Sequence, residues 1–167
     1  GISTGTEMRL YNGFVKQIGL DYPLIPGYEG VGEVVYVGRD VSQFQLGDRV
    51  MANEVYKGYP GYTAAWGGQV EYLVVGPDTQ FMPADQWALP IPDLVSYEEA
   101  VVAQLAGVAL KGCDKIPGRE GQIAVVTGQG VVGISAAQFL KMKGARVIVT
   151  DLHDSRLAVG GQFVDYT

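Results

Sequence analysis

Gly128, Gly130 and Gly133 form the pattern Gly-x-Gly-x-x-Gly, and Asp151 stands 18 residues beyond the last of them. Residues of these types at this spacing suit the binding of a dinucleotide. Gly128 permits a tight turn, Gly130 lets the backbone approach a pyrophosphate, and Gly133 lets a helix pack closely on a strand. Free N–H groups at the helix N-terminus, those of Val131 and Val132 among them, then face the phosphates. A carboxylate at the end of the next strand, Asp151, accepts both hydroxyls of a ribose. A 2′-phosphate there would meet a like charge, so NAD is expected over NADP. The glycine pattern alone is weak, because a structural glycine turn in any α/β unit also produces it.

The elements around the pattern give it its context. Ile123-Ala-Val-Val-Thr127 is short, rich in β-branched residues and followed by glycine, so it reads as a buried parallel strand. After the glycines, Val132, Ala136, Phe139 and Leu140 recur at helical spacing. Lys141 and Lys143 suit the negative end of the helix dipole, and Gly144 can stop the helix. Ala145-Arg-Val-Ile-Val-Thr150 is the second strand, ending in Asp151. Arg156 falls on the first turn of a short following helix, where it either stacks on an adenine or stays solvated. His153 is the single histidine. Two residues past Asp151, it belongs at the adenosine end and reads as a surface loop residue. That takes away the commonest general base.

Composition narrows the classes further. The chain has 167 residues, 47% hydrophobic and 18% charged, which suits a globular protein of one domain or two small ones. A net charge of −6 without a Lys/Arg cluster argues against nucleic acid or an anionic membrane as partner. One cysteine, Cys113, excludes an internal disulfide and a multi-cysteine metal site; it fits a reducing, cytoplasmic location and reads as a small buried or edge thiol. No apolar segment is long enough to span a bilayer, and no secretory leader is visible.

The first 95 residues read as β-rich. Strands are expected over residues 30–37, 49–55, 70–75 and 80–82, with a Gly-Asp turn at residues 47–48 and a glycine- and tyrosine-rich loop over residues 56–68. Strands this close, joined by turns, suggest an antiparallel barrel or sandwich. Residues 83–93 carry three prolines and form a joint. Ser96-Tyr-Glu-Glu99 is a capping box, and the helix after it, to about Leu110, is apolar nearly all round and expected to be buried. The tail is short. Residues 152–161 leave about two helical turns before the strand-like residues 163–167, and so few elements cannot cover both faces of a sheet. Either the chain is a fragment or something else supplies the missing strands.

The motifs Gly1-Ile-Ser-Thr-Gly-Thr-Glu7, Pro26-Gly-Tyr-Glu-Gly-Val-Gly-Glu-Val34, Gly47-Asp-Arg-Val50 and Gly67-Gly-Gln-Val-Glu-Tyr72, followed by the glycine-rich unit, resemble the medium-chain dehydrogenase/reductase family of alcohol dehydrogenase-like proteins. The resemblance covers essentially the whole chain. It implies a GroES-like barrel over residues 1–95, then a connecting helix and a partial Rossmann NAD-binding domain over residues 96–167. Substrate and nicotinamide would meet between them. It also implies that strands before Gly1 and the second half of the Rossmann sheet are missing. The usual homodimer contacts would lie largely in those parts, which leaves the oligomeric state open.

The departures bear on mechanism. Where zinc members carry metal ligands, this chain resembles them in position only: Thr4, Tyr28 and, less securely aligned, Gln104 stand there. None is a credible zinc ligand. The four-cysteine structural-zinc lobe is absent too. The first two motifs resemble those of a zinc-less branch that includes a bacteriochlorophyllide hydroxyethyl dehydrogenase. In that reading Thr6 matches the hydroxyl that begins a proton relay; its alternative is a turn threonine. Tyr28 either offers its phenol to the substrate oxygen or fills the vacated metal pocket. Glu29 matches an acid behind the metal and reads as structural, and Glu7 as a turn or cap residue. Tyr56, Tyr59, Tyr62 and Trp66 either line a pocket for a flat apolar substrate or pack their loop. The expectation is a zinc-independent, NAD-dependent dehydrogenase or reductase acting on a small alcohol or carbonyl. An NADPH-dependent enoyl or quinone reductase and a truncated nucleotide-binding relic are the alternatives.

Overall fold

The structure is a computed structural model, and it describes residues 5–14, 16, 20–27, 29–52, 61–64, 67–76, 88–116 and 120–167. The chain divides into two compact units, Gly1–Val101 and Val102–Thr167.

The first unit opens with helix α1, Thr6–Tyr11, which the glycine- and threonine-rich sequence did not suggest. Its ends suit the helix dipole, with Glu7 in the first turn and Arg9 in the last. Buried Leu10 anchors it against Leu20 and Leu24, and the Tyr22 hydroxyl donates to the Leu10 carbonyl. Strand β1, Leu24–Ile25, pairs in parallel with β4, Thr63–Ala64. Strands β2 (Val31–Glu33), β3 (Arg49–Met51) and β5 (Leu89–Pro90) form an antiparallel sheet in the order β2-β3-β5. Pro90 has no amide to donate, and it sits on an edge strand, where none is required. The Gly-Asp signal is a turn: Gly47 has φ +88°, its N–H donates to the Val34 carbonyl, and Asp48 accepts the Gln45 N–H at 2.8 Å. Helix α2, Tyr97–Ala100, begins with the expected capping box: Ser96 and Glu99 each accept the other's backbone N–H. Arg49 ties β3 to this corner, donating to the Val95 carbonyl at 2.7 Å and stacking on the Tyr97 ring.

Two expectations for this half need correction. The strand over residues 30–37 is ordered as strand only at Val31–Glu33. Residues 70–75 form no strand. They line, with Val31, Val35, Val37 and Phe44, an apolar cavity of about 660 Å³. A strand needs a partner at ladder distance on at least one edge, and this valine-rich segment has none among the described residues. The parallel pair β1-β4 was also not foreseen. Residues 80–82, the joint up to residue 87 and residues 53–60 lie outside the described residues.

The single helix expected from Ser96 to Leu110 is two. Residues 101–102 form a turn, and α3 runs from Ala103 to Asp114. Nor is it buried all round: Ala109 and Cys113 are buried, while Val102, Val108 and Leu110 are exposed. An apolar composition does not choose a buried face when only one face finds a neighbour. Here helix α4 (Val131–Met142) supplies that neighbour, and the Cys113 thiol lies against the Ala136 carbonyl.

In the second unit, β6 (Ile123–Thr127) and β7 (Arg146–Thr150) pair in parallel and in register, with Val126 beside Val149. Helix α4, Val131–Met142, crosses between them, and Gly144 (φ +83°) ends it. Helix α5, Asp154–Gly160, and a 3₁₀ turn at Gly161–Phe163 lead back to a single parallel bridge, Ile148 with Tyr166. The expected last strand is thus one bridge long. Asp165 fixes it by accepting the Val147 N–H at 2.6 Å and the Lys141 ammonium at 2.8 Å. One sheet face packs: Ala137, Leu140, Val147 and Val149 form the core, the two valines with no exposure. The opposite face leaves Ile123 and Val125 exposed. No described helix is long and apolar enough to cross a membrane.

Leu140→Ala should cost about 2–5 kcal/mol, the price of a core cavity. Leu152→Ala, at 98% exposure, should change stability by less than about 0.5 kcal/mol. Urea midpoints at constant slope check the pair.

Candidate functional site

The three glycines occupy three different environments. Gly128 has φ +89°, a conformation side chains resist, and its N–H donates to the Thr150 carbonyl at 2.7 Å, joining the ends of both strands. Gly133 lies flush on that turn: a β-carbon there would overlap the Gly128 carbonyl oxygen and come within 2.9 Å of its carbon. Gly130 differs. Its φ of −81° and ψ of −176° suit any residue, and a β-carbon would meet nothing within 4 Å. The fold has a reason for glycine at 128 and 133 and none at 130. Gly130 is also the N-cap of α4, and no side chain caps that helix end. Val131 and Val132, in its first turn, are exposed.

Asp151 stands at the end of β7 with its side chain only 4% exposed. Oδ2 accepts the Gln129 N–H at 2.6 Å and Oδ1 the His153 N–H at 2.9 Å. The Arg156 guanidinium is 3.9 Å away. The Gln129 N–H and then the His153 N–H hold this carboxyl below its ordinary value, with Arg156 assisting against the opposing effect of burial. A carboxylate has about four acceptor sites, and these two N–H groups take two of them. His153 contributes its backbone, and its side chain is exposed. Arg156 is exposed on the first turn of α5. Gln129, which the sequence reading passed over, is buried beneath the loop. A long polar residue between two glycines was the signal available for it.

In the first unit the structure gathers motifs that are far apart in sequence. The Gly68 N–H donates to the Gly27 carbonyl, and the Gln69 N–H to the Pro26 carbonyl at 3.0 Å. A β-carbon at Gly27 would lie 2.7 Å from the Gln69 side chain, and one at Gly30 2.6 Å from the Ala52 carbonyl. The Gln69 amide donates to Glu7 at 2.9 Å, bringing α1 to the same place. Glu7 is therefore a helix residue rather than a turn residue. Thr6 opens α1 and is half-buried, and the Glu29 side chain is buried. Gln69 joins this cluster without having been singled out. Thr4, Tyr28, Tyr56, Tyr59 and Trp66 lie outside the described residues; Tyr62 is exposed. Gln104 is half-buried on α3. Among the described residues no group of three His, Cys, Asp or Glu side chains could hold a metal ion.

Comparison with known proteins fits this arrangement. The profile of the alcohol dehydrogenase GroES-like domain matches residues 3–86. The chain belongs to the alcohol dehydrogenase-like family. Sorbitol dehydrogenase of Bacillus subtilis is 32% identical to this alcohol dehydrogenase-like chain over 92% of the chain and 47% of its own length. Zinc dependent alcohol dehydrogenase 2 from Streptococcus pneumonia, a solved structure, is similar with a TM-score of 0.75 at 27% identity, over 98% of this chain and 50% of that one. A short chain alcohol dehydrogenase from Escherichia coli CFT073, solved with NADH, gives a TM-score of 0.74 at 27% identity, over 99% and 51%. The chain spans about half the length of the curated relatives it matches.

Gly133→Ala should destabilise the second unit by about 3 kcal/mol or more, because backbone must move to admit the methyl. Gly130→Ala should cost within about 1 kcal/mol, the penalty of alanine at a helix N-cap. Thermal melting separates the two. Asp151 has a lowered folded-state pKa, so its contribution to stability is complete above about pH 4 and lost as pH falls through the lowered value. Asp151→Asn should flatten that part of the acid unfolding curve.

Proposed function

We propose that this chain belongs to a zinc-independent oxidoreductase that uses NAD(H) to interconvert an alcohol and a carbonyl compound. The observation that carries the reading is the open glycine at 130, set at an uncapped helix N-terminus between two glycines the fold itself requires. A residue without a side chain that packing does not demand is explained by a ligand backbone lying against it. The N–H groups of Val131, Val132 and Gly133 would hold a pyrophosphate, and Asp151 an adenosine ribose, with Arg156 beside the adenine. The carboxylate of Asp151 disfavours a 2′-phosphate, which supports NAD over NADP. The NADH complex of the Escherichia coli relative supports a nicotinamide cofactor.

When bound, nicotinamide accepts or gives the hydride, and the protein supplies geometry and a path for the proton. Thr6, at the start of α1, is positioned by the contact of its neighbour Glu7 with Gln69. Its hydroxyl would accept the proton of the substrate alcohol while passing its own proton on through a relay to solvent, and the Tyr28 phenol would stabilise the developing negative charge on oxygen. Thr4, Tyr28 and Gln104 offer no zinc set, since two are neutral weak oxygen donors and a phenol stays protonated near neutral pH. That supports chemistry without a metal.

NADH titration by fluorescence tests the reading. Gly130→Ala should weaken NADH at least about tenfold while leaving the melting temperature nearly unchanged. Asp151→Asn should narrow the preference for NADH over NADPH; unaltered affinity for both cofactors would remove Asp151 from the site. Given turnover with a panel of alcohols and carbonyls, Thr6→Val and Tyr28→Phe should each lower kcat by about 10²-fold or more. Chelators should leave the rate unchanged, and stoichiometric zinc would overturn the metal-free mechanism.

A further inference from the structure

Gln129 is a fully buried polar side chain, 1% exposed, in the middle of the glycine loop. Its backbone N–H is held by Asp151, which turns the side chain inward, away from the open ground above Gly130. Its Nε2 donates to the Gly128 carbonyl at 3.0 Å and reaches the Val126 carbonyl at 3.5 Å. The Gly128 carbonyl is the group against which Gly133 lies bare. The amide orientation follows from these neighbours, because the opposite one would set oxygen against two carbonyl oxygens. Oε1 therefore points the other way and has no hydrogen-bond partner among the described residues. What it meets is α5. A β-carbon at Gly160 would overlap Oε1 and come within 3.0 Å of Cδ and 3.1 Å of Cγ. Gly160 has ordinary helical angles, φ −64° and ψ −35°, so only this contact asks for glycine there. Arg156 lies one turn earlier on the same helix face, 3.9 Å from Asp151.

We infer that Gln129 is a positioning residue of the nucleotide loop: its amide props the turn from residues 128 to 133 against α5, with Gly160 as the bare surface that receives it. The prop fixes two things together. It holds the Gly128 carbonyl, on which the start of α4 rests, and it sets how closely α5 brings Arg156 to Asp151. A buried acceptor without a donor costs stability, so the side chain is kept for geometry rather than for strength. The inference rests on the nucleotide-binding reading for its ligand, though the Gln129–Gly160 contact stands without it.

The test uses the 167-residue chain and NADH. Gly160→Ala should lower the melting temperature in the unaltered background. In a Gln129→Ala background it should raise it, because the clash is gone and alanine favours a helix over glycine. Equal effects in both backgrounds would overturn the contact. At a temperature where every variant is folded, Gln129→Ala should weaken NADH about tenfold, a usual size of coupling between a ligand site and a residue that acts on it through the loop. Unchanged NADH affinity alongside a reversed melting effect would reduce Gln129 to packing and overturn its positioning role. Gln129→Glu supplies a readout that packing alone does not move. Burial without a partner raises its pKa, so at acid pH the neutral acid donates to Gly128 and NADH affinity approaches the unaltered value. As pH rises the carboxylate forms beside two carbonyls and affinity falls; a flat profile counts against the role. Failure of the unaltered chain to bind NADH would overturn the nucleotide reading and the positioning role with it. The melting reversal would still decide the contact.

Discussion

Helix α4 begins where it does because Gly133 has no side chain. Its α-carbon rests on the Gly128 carbonyl, the first turn of the helix drops onto the end of β6, and the helix then runs back along the sheet. Ala137 and Leu140 thereby meet Val147 and Val149, and Cys113 of α3 closes the same cluster. An ordinary residue at 133 would lift the helix from the strand. The core would open, and the N–H groups of the first turn would no longer surround the open ground at Gly130. One close approach of backbone to backbone thus organises both the packing and the candidate phosphate site.

Two aspartates hold the rest of the second unit in place, and they do it alike. Asp151 takes backbone N–H groups from Gln129 and His153, and Asp165 takes the N–H of Val147 and the Lys141 ammonium. Both carboxyls lie below their ordinary pKa, Asp151 first because of the Gln129 N–H and Asp165 first because of Lys141. A charged acceptor binds a backbone N–H more strongly than a neutral one does. A sheet with only two strands and one further bridge gains from such clamps, since few ladder bonds are available to it. For Asp151 the clamp and the proposed ribose contact use the same carboxylate, so the geometry that stabilises the loop also aims the acceptor.

The first unit reaches its arrangement by a different route. Gly27, Gly30 and Gly68 let three segments lie backbone to backbone, and Gln69 ties the result to Glu7 of α1. Residues widely separated in the chain are brought together by the absence of side chains and by one amide. Thr6, proposed for proton transfer, opens the helix that this frame holds.

Local information was enough for much of the second unit. The apolar run at Ile123–Thr127, the glycine spacing, the lysines ahead of Gly144 and the acid after β7 each act within a few residues of themselves, so the sequence alone determined strand, turn, helix and strand in order. The capping box at Ser96 and the Gly-Asp turn at Gly47 were legible for the same reason. Contacts between distant segments decided the rest. Residues 70–75 have the valine-rich composition of a strand yet form none, because strand identity depends on a partner. Residues 96–110 split in two, and α3 buries only the side that finds α4, because an apolar composition does not say which neighbour arrives. That Gly130 is free of packing while Gly133 is not, and that Gln129 turns inward onto Gly160, could be known only once α4 and α5 were in place. A sequence records which residues are small or polar, and only tertiary contact decides what fills the space beside them.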